Sequence, residues 1–366
     1  MKKIMVVFGT RPEAIKMAPL VKELEKQGKF ETVVCVTGQH KEMLDQVLHC
    51  FRIEPKYNLA IMTTNQTLFD VTIKILEGMK AILMLEQPDI VLVHGDTTTT
   101  FATGLAGFYL GIPIGHVEAG LRTYDMHAPF PEEFNRQSVG IYAVLHFAPT
   151  EVTKANLLRE GKKENTIYVT GNTAIDALHT TIKDGYSHPV LDWAADSRLV
   201  LLTAHRRENL GEPLYHIFSG IKKVLDEIAD LKVVYPIHMN PVVRETAQEV
   251  FGDHPRMKII EPLEVLDFHN FLNHAYLILT DSGGIQEEAP GLGKPVLVLR
   301  DTTERPEGIK AGTLKLVGTD EERIYTEFKE VVTNTEVYSR MSQAVNPYGD
   351  GRASQKIVEI LNDYFA

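Results

Sequence analysis

The strongest constraint on this chain is a repeated alternation. A short, unbroken apolar run is followed by a turn bearing glycine or charge, and then by a stretch of helical period. The runs Lys3–Phe8, Thr32–Thr37, Ile90–Val93, Ile112–Val117, Val144–Ala148 and Thr166–Thr170 lie in the first half. The runs Leu199–Thr203, Val233–Ile237, Ala275–Leu279 and Pro295–Leu299 lie in the second. Continuous apolar runs of this length suit parallel strands buried on both faces. Between them, Ala14–Gln27, His40–Phe51, Gln66–Gln87, Thr98–Leu110, Phe134–Ala143, Leu214–Ala229 and Val242–Phe251 read as helices. Strands and helices in alternation mean parallel sheets with right-handed crossovers and helices on both faces. Met257–Ile260, Val265–Asn273 and Gly312–Val317 are read with the second sheet, and Glu321–Asn334 and Ala353–Tyr364 as terminal helices. The polar, irregular stretch Asp184–Ser197 is read as the linker, and 366 residues suit two domains better than one.

Composition narrows the function classes. At 44% hydrophobic and 24% charged residues, the chain has apolar material for two cores. A net charge of -11 argues against nucleic acid or an anionic membrane surface as the main partner. An acidic chain that binds an anion must gather its cations locally, so clustered Arg, Lys and His are informative. The two cysteines, Cys35 in a strand pattern and Cys50 at the end of a helix, read as small buried hydrophobes and fit a reducing, cytoplasmic setting. Lys2-Lys3 before Ile4–Phe8 resembles the opening of a signal peptide, but five apolar residues ahead of Gly9-Thr10-Arg11 are too few, and a first strand is expected. No apolar stretch reaches the roughly 18 residues of a membrane helix.

The stretch Thr280–Gly308 carries the densest chemistry. A buried strand runs into Asp281-Ser282-Gly283-Gly284, and a helix opens at Ile285. Free N–H groups and the helix dipole converge there, and the glycines let a phosphate approach the backbone. Glu288, one turn on, stands where a carboxylate can accept from ribose hydroxyls, and a charged loop, Arg300–Pro306, ends the next strand. Four further clusters follow strands: Gly9–Lys16, His94–Thr98, His116–Arg122 and His205–Asn209. Asp96 is open to two readings, a helix N-cap or a ligand group. Glu118, flanked by Ala119-Gly120, is poorly explained as a cap. Glu132 and Glu133 after Pro131 are accounted for by dipole chemistry alone. His205-Arg206-Arg207 reads as an anion clamp rather than a solvated charge run. No Cys/His spacing suggests a metal, and no GxGxxG follows the first strand, which counts against a dinucleotide cofactor.

FGTRPEAIKMAPL (8–20), HGDTTTT (94–100), HVEAGLRT (116–123), PEEFNR (131–136), HRREN (205–209) and TDSGGIQEEAPGLGKPVLVLRDTTERPEG (280–308) together resemble the non-hydrolysing UDP-N-acetylglucosamine 2-epimerases. The likeness runs in order over nearly the whole chain. It implies a GT-B fold: two Rossmann-like, doubly wound parallel-sheet domains with an interdomain cleft. Residues 1–170 would carry the catalytic carboxylates, 171–351 would bind UDP, and the helix at 352–366 would pack back on the first domain. The resemblance further implies a homodimer that interconverts UDP-GlcNAc and UDP-ManNAc for polysaccharide biosynthesis, with no nicotinamide cofactor and no required metal.

By the same resemblance, Asp96, Glu118 and Glu132 are the catalytic carboxylates and His205 contacts the diphosphate and assists its departure. Arg11, Lys16 and Arg305, with the Ser282, Gly283 and Gly284 amides, would contact the substrate. Glu288 would hold ribose, and Leu263 and Phe268 would border uracil. Bacterial members also bind a second UDP-GlcNAc as activator, and Gln39, Gln66, Arg206 and His238 match polar positions associated with it. Asn65 stands where some members have a basic residue. Three rivals share parts of this pattern: a hydrolysing epimerase, a GT-B glycosyltransferase and a non-enzymatic nucleotide-sugar sensor. Three candidate carboxylates exceed what simple glycosyl transfer requires, and their presence speaks against a sensor.

Overall fold

The computed structural model describes residues 1–38, 41–303 and 305–366, with only the backbone of 41–43. The chain divides into two compact units, Met1–Thr180 with Tyr348–Ala366, and Thr181–Pro347.

The first unit holds seven strands: β1 (Lys2–Phe8), β2 (Phe30–Val36), β3 (Tyr57–Asn58), β4 (Ile90–His94), β5 (Ile114–Val117), β6 (Leu145–Ala148) and β7 (Ile167–Val169). They form one parallel sheet in the order β3-β2-β1-β4-β5-β6-β7. The order reverses between β1 and β4, which makes their C-terminal ends the topological switch point, the usual ligand position of such a sheet. Met5, Val7, Val91 and Val93 of the central strands pack on Ile75, Met79 and Leu83 of the helix Leu68–Glu86. The last helix, Ala353–Phe365, belongs to this unit and packs on the helix Arg11–Gln27. Its first N–H groups, at Ala353 and Ser354, donate to the Asp176 carboxylate at 3.1 and 2.7 Å. A residue far away in sequence thus caps the helix.

The second unit holds β8 (Arg198–Thr203), β9 (Leu231–Pro236), β10 (Met257–Ile260), β11 (Leu277–Thr280), β12 (Val296–Val298) and β13 (Leu314–Leu316). Their order is β10-β9-β8-β11-β12-β13, all parallel, with the switch point between β8 and β11. Alternate residues feed two cores, as strand geometry requires. Val200, Leu202, Leu277 and Leu279 join Phe218 and Tyr235 on one face; Leu199, Leu201 and Ile278 join Phe271 on the other. Two expectations need correction. The stretch read as a linker contains the helix Pro189–Ala194, whose Val190, Leu191 and Ala194 are buried in that second core. Val265–Asn273, read with the sheet, is the helix Val265–His274; its buried His269 and Asn270 interrupt the apolar pattern that would have shown a 3.6-residue period. The two-residue strand Tyr57–Asn58 is too short to leave a periodic signal.

Candidate active site

In the first unit the switch point gathers Lys16, Asp96 and Glu118. Thr97, not Asp96, caps the helix Thr98–Tyr109: its side chain accepts from the Thr100 N–H at 3.2 Å. Capping therefore does not account for Asp96. Its carboxylate lies 2.7 Å from the Arg136 guanidinium, and its carbonyl accepts from Asn135 Nδ2 at 2.8 Å. Asn135 and Arg136 sit one turn into the helix Glu132–Tyr142, on the same side as Glu132 at its start. Burial raises the Asp96 carboxyl to about 6, against the pull of Arg136 and with the help of the Glu118 charge; Glu132 pushes the same way. A carboxyl brought that near neutrality can both take and give a proton.

Glu118 follows β5 with φ +62°, a left-handed conformation that costs a non-glycine residue about 1–3 kcal/mol. The next strand and neighbouring side chains hold it there. The Ala119 N–H donates to the Phe147 carbonyl at 3.0 Å, Lys16 forms a short ion pair with Oε1, and Asn172 Nδ2 donates to the same oxygen at 3.3 Å. Gly120 must be glycine on two counts: its φ is +90°, and a Cβ would lie 2.3 Å from the Thr153 carbonyl. On the other oxygen, His94 Nε2 lies 3.8 Å away. Burial holds His94 at about 4 despite the Glu118 charge, so it faces Glu118 as a neutral ring near neutral pH. Glu133 is wholly buried and accepts from the Thr123 and Tyr124 N–H groups, both at 3.0 Å, which folds the 118–131 loop onto the helix start. Arg11 opens the helix Arg11–Gln27 and is exposed.

In the second unit, His205 follows β8 and the Ser282-Gly283-Gly284 turn follows β11, side by side at the switch point. The helix Gly283–Gly291 has no side-chain cap, and position alone leaves the Gly283 and Gly284 N–H groups outside its ladder. The Ser282 N–H is already taken by Thr280 Oγ1 at 3.0 Å. Arg305 lies over this turn: a Cβ on Gly283 would be 2.8 Å from its Cζ, so a larger residue there would displace the guanidinium. Glu287 anchors Arg305 Nε at 2.8 Å. Glu288 faces the helix start, its Oε1 3.7 Å from the Cβ position of Gly284, with His269 Nε2 3.9 Å from Oε2. A guanidinium beside free helix N–H groups suits an anion, and the carboxylate one turn on suits hydroxyls. Leu263 and Phe268 are half-buried against the core beneath.

Of the remaining expected residues, Gln66 accepts from the Thr63 N–H at 3.1 Å just before the helix Leu68–Glu86. Arg206 Nε donates to the Asp281 carbonyl at 3.3 Å, and the His238 ring lies 5.1 Å from that of His205. Gln39 lies outside the described residues. Sequence reasoning passed over His94, Asn135, Arg136, Asn172 and Asp281. The first three and Asp281 sit inside motifs already singled out, and Arg136, four residues after Glu132, had a helical spacing that could have found it. Asn172 had no such signal.

The family model for UDP-N-acetylglucosamine 2-epimerase matches residues 22–362. The UDP-N-acetylglucosamine 2-epimerase of Bacillus subtilis is 62% identical over 359 residues, 98% of this chain and 94% of that protein. Among solved structures, S. aureus MnaA with UDP is 55% identical with a TM-score of 0.90, covering 100% of this chain and 97% of that one. UDP-GlcNAc 2-epimerase from Neisseria meningitidis bound to UDP-GlcNAc is 47% identical with a TM-score of 0.88, covering 99% and 100%. With a match of that extent and two parallel α/β units of GT-B type, this chain belongs to the UDP-N-acetylglucosamine 2-epimerase family, in its non-hydrolysing branch, and is an enzyme of the isomerase class.

Proposed function

We propose that the enzyme interconverts UDP-N-acetylglucosamine and UDP-N-acetylmannosamine by eliminating and re-adding UDP through a 2-acetamidoglucal. The observation that carries this reading is the switch point of the first unit, where Asp96, its carboxyl raised by burial to about 6, stands with Glu118, Lys16 and Glu132. The hydrogen on carbon 2 of the sugar is not next to a carbonyl, so its direct removal is very slow. Breaking the bond between carbon 1 and the diphosphate oxygen first makes carbon 1 electron-poor, which acidifies that hydrogen. UDP leaves with the bonding pair, a carboxylate takes the proton, and the glucal remains. Re-addition with protonation on the other face inverts carbon 2. Carboxylates support the positive charge and handle protons, while cations and N–H groups hold the departing UDP.

On this reading Asp96, Glu118 and Glu132 serve the sugar. Arg11, Lys16, His205, Arg305 and the glycine turn serve the diphosphate, Glu288 the ribose, and Leu263 and Phe268 border the uracil. Support for the ligand comes from relatives whose structures hold UDP or UDP-GlcNAc. Carboxylates this close share their titration, so no one of them is tied to a sugar face. The test is turnover of UDP-GlcNAc by pure protein in deuterium oxide. Deuterium should enter carbon 2 of both epimers, with UDP-sugar conserved. Retention of the original hydrogen throughout, or steady accumulation of free N-acetylmannosamine, would overturn it.

We also infer a homodimer. Phe69, Ile73, Phe108, Tyr109 and Ile141 of the first unit are exposed at 52–80% of their surface, large apolar side chains of the kind a subunit interface covers. Light scattering should give twice the 41.1 kDa chain mass; a mass of one chain at micromolar concentration would reject this.

A further inference from the structure

The Asp281 carboxylate, just after β11, has no exposed surface, and among the described residues no lysine or arginine side chain forms an ion pair with it. Among the described residues, the partners of its carboxylate all come from the His205–Asn209 segment. Oδ2 accepts from the His205 N–H at 2.7 Å, the Arg206 N–H at 2.8 Å and Asn209 Nδ2 at 3.2 Å. Oδ1 lies 3.1 Å from His205 Nδ1. Asn209 is itself fixed by the Leu299 carbonyl at 3.1 Å. One buried anion thus grips the backbone of the turn after β8 with one oxygen and the imidazole with the other. The side chain is 40% exposed, and among the described residues none hydrogen-bonds the opposite edge of the ring, Nε2.

We propose that Asp281 is the positioning residue of His205: it accepts the hydrogen bond from Nδ1–H, fixes the ring's tautomer and direction, and as a buried anion behind the ring steadies the imidazolium whose Nε2–H donates to the diphosphate that leaves and returns. The argument is one of donors and acceptors. A carboxylate can only accept, so the nitrogen beside it carries the hydrogen. Burial opposes the charge on Asp281, but the hydrogen bonds from His205 and Arg206 outweigh it and hold the carboxyl below its usual range, so it is ionised at neutral pH. This inference rests on the proposed role of His205 at the leaving group only for its effect on rate. The tautomer itself does not depend on that role.

Asp281→Asn is the informative change. The three donors that meet Oδ2 demand an acceptor there, so the amide oxygen takes that place and the NH2 group turns to Nδ1. A donor facing Nδ1 makes that nitrogen an acceptor and moves the hydrogen to Nε2. Nitrogen-15 NMR of the full-length protein at pH 8 reads this directly, with the His205 signal assigned by its loss in His205→Asn. Wild type should show the hydrogen on Nδ1 and Asp281→Asn should show it on Nε2. A wild-type ring with its hydrogen on Nε2 overturns the proposal, and that measurement stands even where the variant does not fold. In kinetics, Asp281→Asn should lower kcat at least ~10-fold with little change in KM, and should cost nothing further in a His205→Asn background. An equal loss in both backgrounds would make Asp281 a purely structural group and sink the idea. Full turnover in His205→Asn would remove His205 from the reaction while leaving the tautomer result to judge Asp281.

Discussion

Asp96→Asn and Glu118→Gln should each lower turnover by at least ~10²-fold while UDP still binds, the usual scale for removing an acid–base group. That factor is about 2.7 kcal/mol of activation barrier. The reasoning differs between the two sites. Asn at 96 keeps the size of the side chain and an oxygen for the Arg136 guanidinium, 2.7 Å away, but it cannot take or give a proton. Gln at 118 keeps the 3.3 Å contact with Asn172 but deprives Lys16, only 19% exposed, of its anion. Some stability should therefore be lost along with turnover, because a largely buried ion pair loses one of its two charges. Rates are to be read well below each variant's melting temperature, and UDP affinity by calorimetry. Unchanged turnover in either variant would remove that residue from the mechanism. A collapse of UDP affinity in Asp96→Asn would instead make Asp96 a binding group.

Much of this was legible in the sequence for a simple reason. Parallel strands buried on both faces cannot hide, since runs such as Lys3–Phe8 and Leu199–Thr203 have no polar face to break them. The strand-end rule then pointed to the segments around Arg11, Asp96, His205 and Ser282, and the sheet order shows why. β1 with β4, and β8 with β11, flank the two switch points. What the sequence could not show was the partner of each carboxylate. Asp96 read equally as a cap because its neighbour Thr97, which does the capping, is as good a candidate. Glu133 looked like dipole chemistry, whereas its work is to bind two N–H groups ten and nine residues upstream. The helix Pro189–Ala194 spans six residues between polar stretches, too short to show a helical period in the sequence. Asn172 reaches Glu118 across 54 residues, a pairing that depends on the fold and on no local pattern.

Glu13→Ala should be the most damaging change outside the reacting groups. Each unit ties its switch point with a buried carboxylate: Asp281 in the second, Glu13 in the first. Glu13 is 2% exposed, and its Oε2 accepts from the Gly9 N–H at 3.0 Å and from the N–H and hydroxyl of Thr10, both at 2.8 Å. Its Oε1 reaches across to the Thr97 and Thr100 hydroxyls at 2.7 and 3.2 Å, on the turn that carries Asp96. Alanine leaves two buried N–H groups without an acceptor and unlinks the two turns, a loss of about 3 kcal/mol or more. For a unit of this size that is a fall of roughly 6–12 °C in melting temperature. Turnover should fall as well, since the Asp96 turn loses its tie. The pH dependence has a definite sign. Burial raises the Glu13 carboxyl above its ordinary value, ahead of the opposing hydrogen bonds from Thr97, Gly9 and Thr10. A raised value in the fold means that this group's contribution to stability is fully present below its unfolded value and is lost as pH rises through its folded value. Glu13→Gln cannot titrate, so the advantage of wild type over it should be largest in acid and shrink toward neutral pH. A Glu13→Ala melting temperature within ~2 °C of wild type, or a gap to Glu13→Gln that widens as pH rises, would show that the first unit is not held together at this carboxylate.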